Sequence, residues 1–239
     1  MVGGRAYHTS IRRQIRKSTG GFVAIVAIIA LGVGFLVGVF STTPDMTYTM
    51  NQYYNANRAA DINVKSTMGL TDADVSAVAA VQNVDQVMPA YVTDTLLDAS
   101  DGQTLTSRIY GLPLDRNDTS GFINHLTLVK GRMPLSDSEC VIQKPAGYLA
   151  DLPIGATLTV SGQNTDGTDI STIYKTTVFT IVGIVTNPTY FSVDREPSTV
   201  GNGRLGAILY VNKDCYALTT PTDFYITVKG AADLDSFSD

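Results

Sequence analysis

The stretch "RRQIRKSTGGFVAIVAIIALGVGFLVGVFSTTPDM", residues 12–46, decides how the chain is organised. Residues 22–40 within it carry no charge, and as a helix this run spans roughly 28 Å, the thickness of the hydrocarbon layer of a bilayer. The apolar region of a signal peptide is shorter, about 7 to 15 residues, and precedes a small-x-small cleavage site. The only nearby candidate, "VGVFST", matches that site poorly. We therefore predict a retained transmembrane helix over residues 22–40.

The charges on the two sides of this run predict its orientation. A basic cluster precedes it, whereas the following flank, "STTPDMTYTMNQYY", has no basic residue. The positive-inside rule then places the N-terminus in the cytoplasm and the residues after about 41 outside the cell membrane. The topogenic residues of the cluster are Arg12, Arg13, Arg16 and Lys17.

The segment before the membrane run, residues 1–21, has its own pattern. Tyr7, Ile11 and Ile15 recur every four residues with basic residues between them. On a helix this spacing gives a basic amphipathic face that would lie on the inner membrane surface. A plain cluster of topogenic charges is the alternative.

Three glycines interrupt the apolar run and indicate contact with another helix. Gly34 and Gly38 form a small-x-x-x-small pattern, and Gly32 lies close by. Small residues at this spacing let two membrane helices approach closely. We therefore expect membrane-helix packing at Gly32, Gly34 and Gly38.

The overall charge of −5 conceals an uneven distribution. The first twenty residues carry five basic residues and no acid, which leaves 12 basic against 22 acidic residues for the remainder. Nucleic-acid binding needs a Lys and Arg footprint that displaces counterions. The acidic remainder therefore argues against a nucleic-acid partner.

After the membrane run, the pattern predicts a strand, a helix and two strands. "ADINVKST" has the alternation of a strand, and "GLTDADVSAVAAVQNV" begins as a helix with Thr71 as N-cap. Asp72 and Asp74 lie in its first turn, where the helix dipole favours anions. "VDQVMPAYVTDTLLDA" and "TSRIYGLPL" are the two strands, separated by the turn "SDGQ".

From residue 124 onward, short strands alternate with Gly and Pro. We predict strands at "HLTLVKGRMP", "ECVIQ", "GATLTVSG", "TTVFTIVGIVT", "GAILYV" and "DFYITV". Both alternating sets of residues 178–185 are largely apolar, which predicts a strand buried on both faces. Residues 187–203 form a long polar loop that is suited to contact with a partner. A last helix begins near the C-terminus, and a domain rarely ends one turn into a helix. We therefore expect the chain to be a fragment of a longer protein.

The residues that could do chemistry do not converge on one site. Cys140 and Cys215 are far apart in sequence; a disulfide between them and a pair of buried free thiols are both open. His125 lies between apolar neighbours and has no partnered nucleophile motif, so we expect a packed or surface histidine. Because no catalytic or metal-binding motif is present, we predict no enzyme activity, no cofactor and no metal.

The order of several segments resembles a known family. "IRRQIRKSTGGFVAIVAIIALGVGFLVGVFSTTPDM", "YYNANRAADINVKSTMGLTDADVSAV", "KGRMPLSDSECVI", "IGATLTV", "FTIVGIVTNPTYF" and "AILYV" follow one another as in the N-terminal part of bacterial ABC transporter permeases of the MacB/FtsX-like type. The resemblance covers essentially the whole chain. The sequence has neither the later membrane helices nor the ATP-binding motif of such transporters. We therefore expect the chain to correspond to the front part of a permease.

This resemblance implies an α+β fold, in which an N-terminal transmembrane helix precedes a mixed extracytoplasmic domain called the MacB-like core. Residues 1–21 are then the cytoplasmic basic segment, 22–40 the transmembrane helix and 41–239 the core domain. Within the core domain, about 45–115 and 213–239 form a membrane-proximal βαβ-type subdomain, and 124–212 form an inserted strand-rich subdomain.

The resemblance also implies a function and partners. The chain would be a non-catalytic permease subunit that couples ATP hydrolysis, by a partner ATP-binding cassette subunit, to transport or mechanotransmission outside the membrane. A second permease copy or paralogue and the membrane lipid are the other expected partners. A single-pass surface protein that presents a protein-binding module is the alternative.

Overall fold

A computed structural model describes residues 3–162, 169–190 and 196–234 of the chain, with side chains from residue 7 onward. The chain divides into two units, residues 1–51 and 52–238. In the first unit, helix α1 (Gly3–Lys17) is followed after Ser18 by the long helix α2 (Thr19–Ala56), whose last turn belongs to the second unit. Helix α2 is long and apolar enough to cross a membrane.

The second unit holds the remaining helices and the strands. The helices are α3 (Asp72–Ala79) and α4 (Ile170–Ile173). The strands in the described residues are β1 (Ile62–Lys65), β2 (Val84–Ala99), β3 (Thr104–Leu112), β4 (Thr127–Gly131), β5 (Glu139–Gln143), β6 (Thr157–Val160), β7 (Val178–Thr186), β8 (Ala207–Asn212) and β9 (Asp223–Val228).

Strand β1, helix α3 and strand β2 form the predicted βαβ unit. Strands β1 and β2 are both antiparallel to β9, which lies between them. The Thr71 hydroxyl accepts the Asp74 N–H, and the Asp74 carboxylate accepts the Thr71 N–H, so the predicted N-cap is confirmed as a complete capping box. The helix is shorter than the sequence suggests, because Asn83 takes a left-handed conformation and β2 begins at the next residue.

Strand β2 belongs to two layers at once. Its first part, up to Ala90, pairs with β9, and its second part, from Tyr91 onward, pairs with β3. Its last residues also pair with β6. Sixteen residues of one strand therefore join the βαβ layer to the strand-rich part of the unit.

The strand-rich part closes on itself. Strand β2 pairs with β3, β3 with β8, β8 with β5, β5 with β7, β7 with β6, and β6 with β2 again. These described strands form a closed ring, which leaves no free edge among them. Strand β4 lies outside the ring and pairs with the second half of β7.

Two hydrophobic clusters fill the two faces of this ring. The cluster on the inner face includes Leu97, Ile109, Ile142, Leu158, Phe179, Ile181 and Leu209. The cluster on the outer face packs the ring against the βαβ layer and includes Met88, Ala90, Tyr110, Val141, Val185, Ile208, Tyr210 and Tyr225. The alternation of side chains along each strand assigns neighbouring residues to the two clusters in turn.

The α+β fold class and the order of strands agree with the sequence prediction. Strand β7 contributes fully buried side chains to both clusters, as predicted: Phe179 and Ile181 lie in the inner-face cluster and Val185 lies in the outer-face cluster, while its other side chains are half-buried or exposed. The subdomain boundaries at about 115, 124 and 213 stay a prediction.

Strands β4 and β7 approach each other closely at two glycines. Gly131 and Gly183 are register partners. A Cβ atom on Gly183 would lie 2.4 Å from the carbonyl oxygen of Arg132, and one on Gly131 would lie 2.3 Å from that of Val182. Because the obstacles are backbone atoms, no side-chain movement can relieve them.

We predict that Gly183→Ala lowers the free energy of unfolding by about 2 kcal/mol, because the added methyl group forces the two strands apart. The measurement is urea unfolding of the purified chain followed by circular dichroism. Gly162→Ala is the control, since no atom of the described residues lies within 4 Å of its added Cβ. An equal loss in both variants would contradict the close-approach explanation.

Asp223 is a buried carboxylate at the point where β2 passes from one layer to the other. It is 4% exposed; its Oδ2 accepts the Thr222 hydroxyl at 2.7 Å, while its Oδ1 has no partner among the described residues. The Thr222 hydroxyl in turn accepts the Val92 N–H at 2.8 Å. Burial raises the pKa of Asp223, and the Thr222 hydrogen bond and the charges of Lys65 and Arg108 only partly oppose this shift.

We predict that Asp223→Asn raises the melting temperature at pH 7 by roughly 2–4 °C, because it removes a buried charge with an unpaired oxygen. A raised pKa in the folded protein means that ionisation costs stability above the ordinary value of 3.8 and costs nothing well below it. The gain should therefore disappear as the pH falls below that value. Thermal melts from pH 3 to pH 8 test this, with the exposed Asp151→Asn as control.

Candidate functional site

In the second unit, the end of helix α2 combines a left-handed backbone residue with hydrogen bonds to a distant loop. The Arg58 N–H donates to the Asn55 carbonyl at 3.2 Å, and the Ala59 N–H donates to the Tyr54 carbonyl at 2.9 Å. This pair of bonds is a Schellman motif, which ends a helix with one left-handed residue, usually glycine. Here Arg58 takes that position, with φ of 47°.

The residues after the helix are tied to the loop before β4. The Asn124 N–H donates to the Arg58 carbonyl and the His125 N–H to the Asn57 carbonyl, both at 2.8 Å. The Asn124 side chain adds a third hydrogen bond, because its Oδ1 accepts the Ala60 N–H at 2.8 Å. We call the contact formed by Asn57, Arg58, Ala60, Asn124 and His125 the helix-end tie.

The loop side of the helix-end tie is held firmly by the core. Phe122 and Ile123, directly before Asn124, are fully buried in the outer-face cluster. Asn117 clamps the other side, because its side chain bonds both the N–H and the carbonyl of Leu126, at 2.9 Å and 3.0 Å. The helix end is therefore fixed to the most buried part of the unit.

The Arg58 side chain makes a separate contact. Its Nη2 donates to Gln86 Oε1 at 3.0 Å and lies 3.7 Å from Asp85 Oδ2. Its Nε is buried and has no partner among the described residues. The guanidinium group thus connects the helix end to β2, but with incomplete hydrogen bonding.

A cleft of about 890 Å³ lies beside the helix-end tie. Small residues line much of this cleft and leave its volume open. They include Ala59, Ala60, Gly230, Ala231 and Ala232. Asn55 spans one side, since its Nδ2 donates to the Ala232 carbonyl at 2.8 Å. The segment that follows α2 therefore borders free volume instead of packed core.

A second polar constellation lies at the base of the long polar loop. Arg108 makes two bonds to Asp94, at 2.7 Å and 3.0 Å, and an ion pair with Glu196. Burial opposes the charge of Arg108, but the hydrogen bond and the charge of Asp94 outweigh it and raise its pKa. On the other side of the loop, the Tyr190 hydroxyl bonds that of Tyr110, whose pKa burial raises to about 12.

Both stems of the loop are thus anchored to the barrel wall. Of the loop predicted to contact a partner, residues 187–203, positions 191–195 lie outside the described residues. Its role in contact stays a prediction.

The structure places the predicted topogenic and packing residues on the first unit. Arg12, Arg13, Arg16 and Lys17 lie in the second half of α1, and all are exposed. On α2, a Cβ added to Gly32, Gly34 or Gly38 would meet no atom within 4 Å, so in the described chain nothing packs on them. Both roles stay predictions.

The two cysteines lie inside the barrel. Cys140 and Cys215 are free thiols and fully buried in the inner-face cluster. Burial raises the pKa of both, that of Cys215 to about 12, and the Cys215 thiol donates to the Asp137 carbonyl at 3.0 Å. Their pairing as a disulfide stays a prediction.

His125 is half-buried and packs edge to face with Phe122. Its Nε2 is buried without a partner among the described residues, so its contact with the rest of the site is through its backbone N–H. Within the described ranges, no group of three or more metal-ligating side chains comes together.

The sequence gives no signal for the helix-end tie. Asn124 also takes a left-handed conformation, with φ of 60°, and neither Arg58 nor Asn124 stands in a glycine-containing turn motif. Of these two residue types only asparagine is enriched in this conformation, and asparagine is too common a residue to single out position 124. The partner residues are 64 or more positions apart.

Comparison with known proteins supports one family. The sequence profile described as MacB-like periplasmic core domain matches residues 22–239. No curated protein sequence matches the chain.

Several solved structures are similar at low sequence identity. The periplasmic region of MacB from Actinobacillus actinomycetemcomitans is 14% identical, with a TM-score of 0.39; the match covers 72% of this chain and 69% of that one. The extracellular domain of the noncanonic ABC-type transporter YknZ from Gram-positive bacteria is 13% identical, with a TM-score of 0.37, covering 70% and 76%. A domain of a putative permease protein from Porphyromonas gingivalis is 11% identical, with a TM-score of 0.34, covering 65% and 66%.

The profile match spans nearly the whole chain and agrees with the resemblance carried by its segments. The chain therefore belongs to the family of MacB-like periplasmic core domains.

Proposed function

We propose that this chain is the membrane anchor and extracytoplasmic domain of an ABC transporter permease. In this role it couples ATP hydrolysis by a partner ATP-binding cassette subunit to transport or mechanical work outside the membrane. The observation that carries the proposal is the continuity of α2, which runs from Thr19 to Ala56 and whose last turn is fixed by the helix-end tie.

A continuous helix that ends in a tie is suited to transmit displacement. Every backbone hydrogen bond of a helix lies within the helix itself, so a shift at one end moves the other end with little loss. The helix-end tie joins that end to Phe122 and Ile123 in the core, and the core is too densely packed to absorb the shift. Pro44, inside α2, is the one described position in the helix that cannot donate its own N–H bond.

The proposal includes a membrane topology. The N-terminus and the basic face of α1 lie on the cytoplasmic side, next to the ATPase, and residues after about 41 lie outside. The exposed basic residues in the last turn of α1, Arg16 and Lys17, support contact with anionic lipid headgroups on the inner surface.

The partner of the membrane helix is a second permease copy or a paralogue. Gly34 and Gly38 face the same side of α2, and the space beside them is open. Close approach of another helix there is the usual use of this spacing.

We expect the full chain, extracted from membranes in mild detergent, to bring an ATP-binding cassette subunit with it. Ile11→Glu should reduce the recovery of that subunit several-fold, because it breaks the apolar face of α1. Quantitative mass spectrometry of the purified complex is the measurement. Met46→Glu, an equally drastic change at an exposed residue of α2, is the matched control. Recovery of no ATPase subunit with the unaltered chain would support a single-pass binding module instead.

We further predict the sidedness of two single-cysteine variants in intact cells. A membrane-impermeant maleimide should label Ser100→Cys at once and Ser10→Cys only after permeabilisation, since both positions are exposed but lie on opposite sides. Buried Cys140 and Cys215 give little background. Equal labelling of the two variants before permeabilisation would contradict the topology.

A further inference from the structure

Of the four residues after α2, only the first has a local reason to leave the helix. They are Asn57, Arg58, Ala59 and Ala60; Asn is a weak helix former, whereas Arg and Ala are strong ones. A helix that ends by its own sequence usually has glycine at the left-handed position or proline soon after it. Neither is present before β1 begins at Ile62. Tertiary contacts, not the local sequence, therefore end the helix.

The contacts that end it are the bonds of the helix-end tie. They hold Arg58 in the left-handed region, where its Cβ is crowded, and they join it to Asn124, which is also left-handed. Arg58 and Asn124 are thus two non-glycine residues in the left-handed region, and one hydrogen bond joins them. Such backbone strain persists only where surrounding contacts maintain it, and it collects at elements that switch between states.

The surroundings of residues 57–60 leave room for a different backbone conformation. One side of this segment borders the cleft of about 890 Å³, which is lined by Tyr54, Asn55, Arg58, Ala59 and Ala60 themselves. The next element, β1, is an edge strand of four residues, none of which is buried. Short exposed edge strands belong to the low end of local stability in a fold.

We propose that Arg58 is the switch residue of a two-state helix end. In the observed state Arg58 is left-handed, α2 stops at Ala56 and the helix-end tie is closed. In the second state Arg58 is right-handed, α2 continues through residues 57–60, and the bonds to Asn124 and His125 open. The mechanical role of the switch rests on the proposed function, but its existence does not.

The second state has a defined consequence for the chain. Each residue that passes from an extended to a helical conformation shortens its path by about 1.8 Å. Extension of α2 through residues 57–60 therefore draws in β1, which is bonded to β9 by Asp61 and its four ladder pairs. The helix-end tie and β1 open together, while the barrel stays closed.

Arg58→Gly and Arg58→Ala form a matched pair that tests the proposal. Both remove the guanidinium contact with Gln86, so they differ only in their backbone preference. Glycine favours the left-handed state and disfavours a helix, whereas alanine does the reverse. Hydrogen exchange followed by mass spectrometry on the full chain in detergent reports both states, through peptides that cover residues 57–66 and 122–127.

We expect the opening equilibrium of these two peptides to differ by roughly tenfold or more between the variants, with Arg58→Gly the better protected. A peptide covering β8 (Ala207–Asn212) should exchange equally in both. Equal protection of residues 57–66 and 122–127 in the two variants would overturn the switch. A difference that extends equally to β8 would also overturn it, because it would show global unfolding.

The outcome is independent of the ATPase. If the exchange pattern is as expected but no ATPase subunit co-purifies with the chain, the switch stands and the permease role fails. If the ATPase co-purifies but the two variants exchange alike, the permease role stands and the switch fails.

Discussion

The fold depends on one strand that serves two layers. Strand β2 pairs with β9 over its first part and with β3 and β6 over its second, so the βαβ layer and the barrel share a continuous backbone. A ladder hydrogen bond cannot form unless both strands are in place, and neither layer can shift along β2 without breaking its register. The two hydrophobic clusters then lie on opposite faces of the barrel wall, and the outer one packs that wall against the βαβ layer.

The charged groups buried beside β2 show the energetic cost of this arrangement, which is the loss of their hydration. Asp223 keeps one carboxylate oxygen without a partner beside the place where β2 changes layers, and Arg108 needs Asp94 and Glu196 to be accommodated near the barrel wall. A buried charge is tolerated only when other groups compensate for its lost hydration. Two carboxylates compensate Arg108, whereas one oxygen of Asp223 has no partner among the described residues.

The helix-end tie connects the end of α2 to this scaffold. Asn124 and His125 emerge from the buried Phe122–Ile123 pair and bond the residues that end α2. Backbone hydrogen bonds therefore join the last turn of α2 to the segment that leads into the outer-face cluster. The strained backbone of Arg58 and the free volume beside it mark this contact as the part of the unit with an alternative conformation within reach.

The sequence by itself determined the apolar helix, the capping box of α3 and most of the strands. These elements follow from patterns within a few residues, such as the uncharged run at 22–40, Thr71 as the N-cap of α3, and the alternation of Ile62 and Val64 in β1. Only the tertiary structure decided that β6 closes a barrel and that α2 ends at Ala56. Each of these depends on partners far away in sequence: β6 meets β2, and Arg58 meets Asn124. Arg58 to Ala60 show the reason most clearly, because their local preference is helical and long-range hydrogen bonds override it.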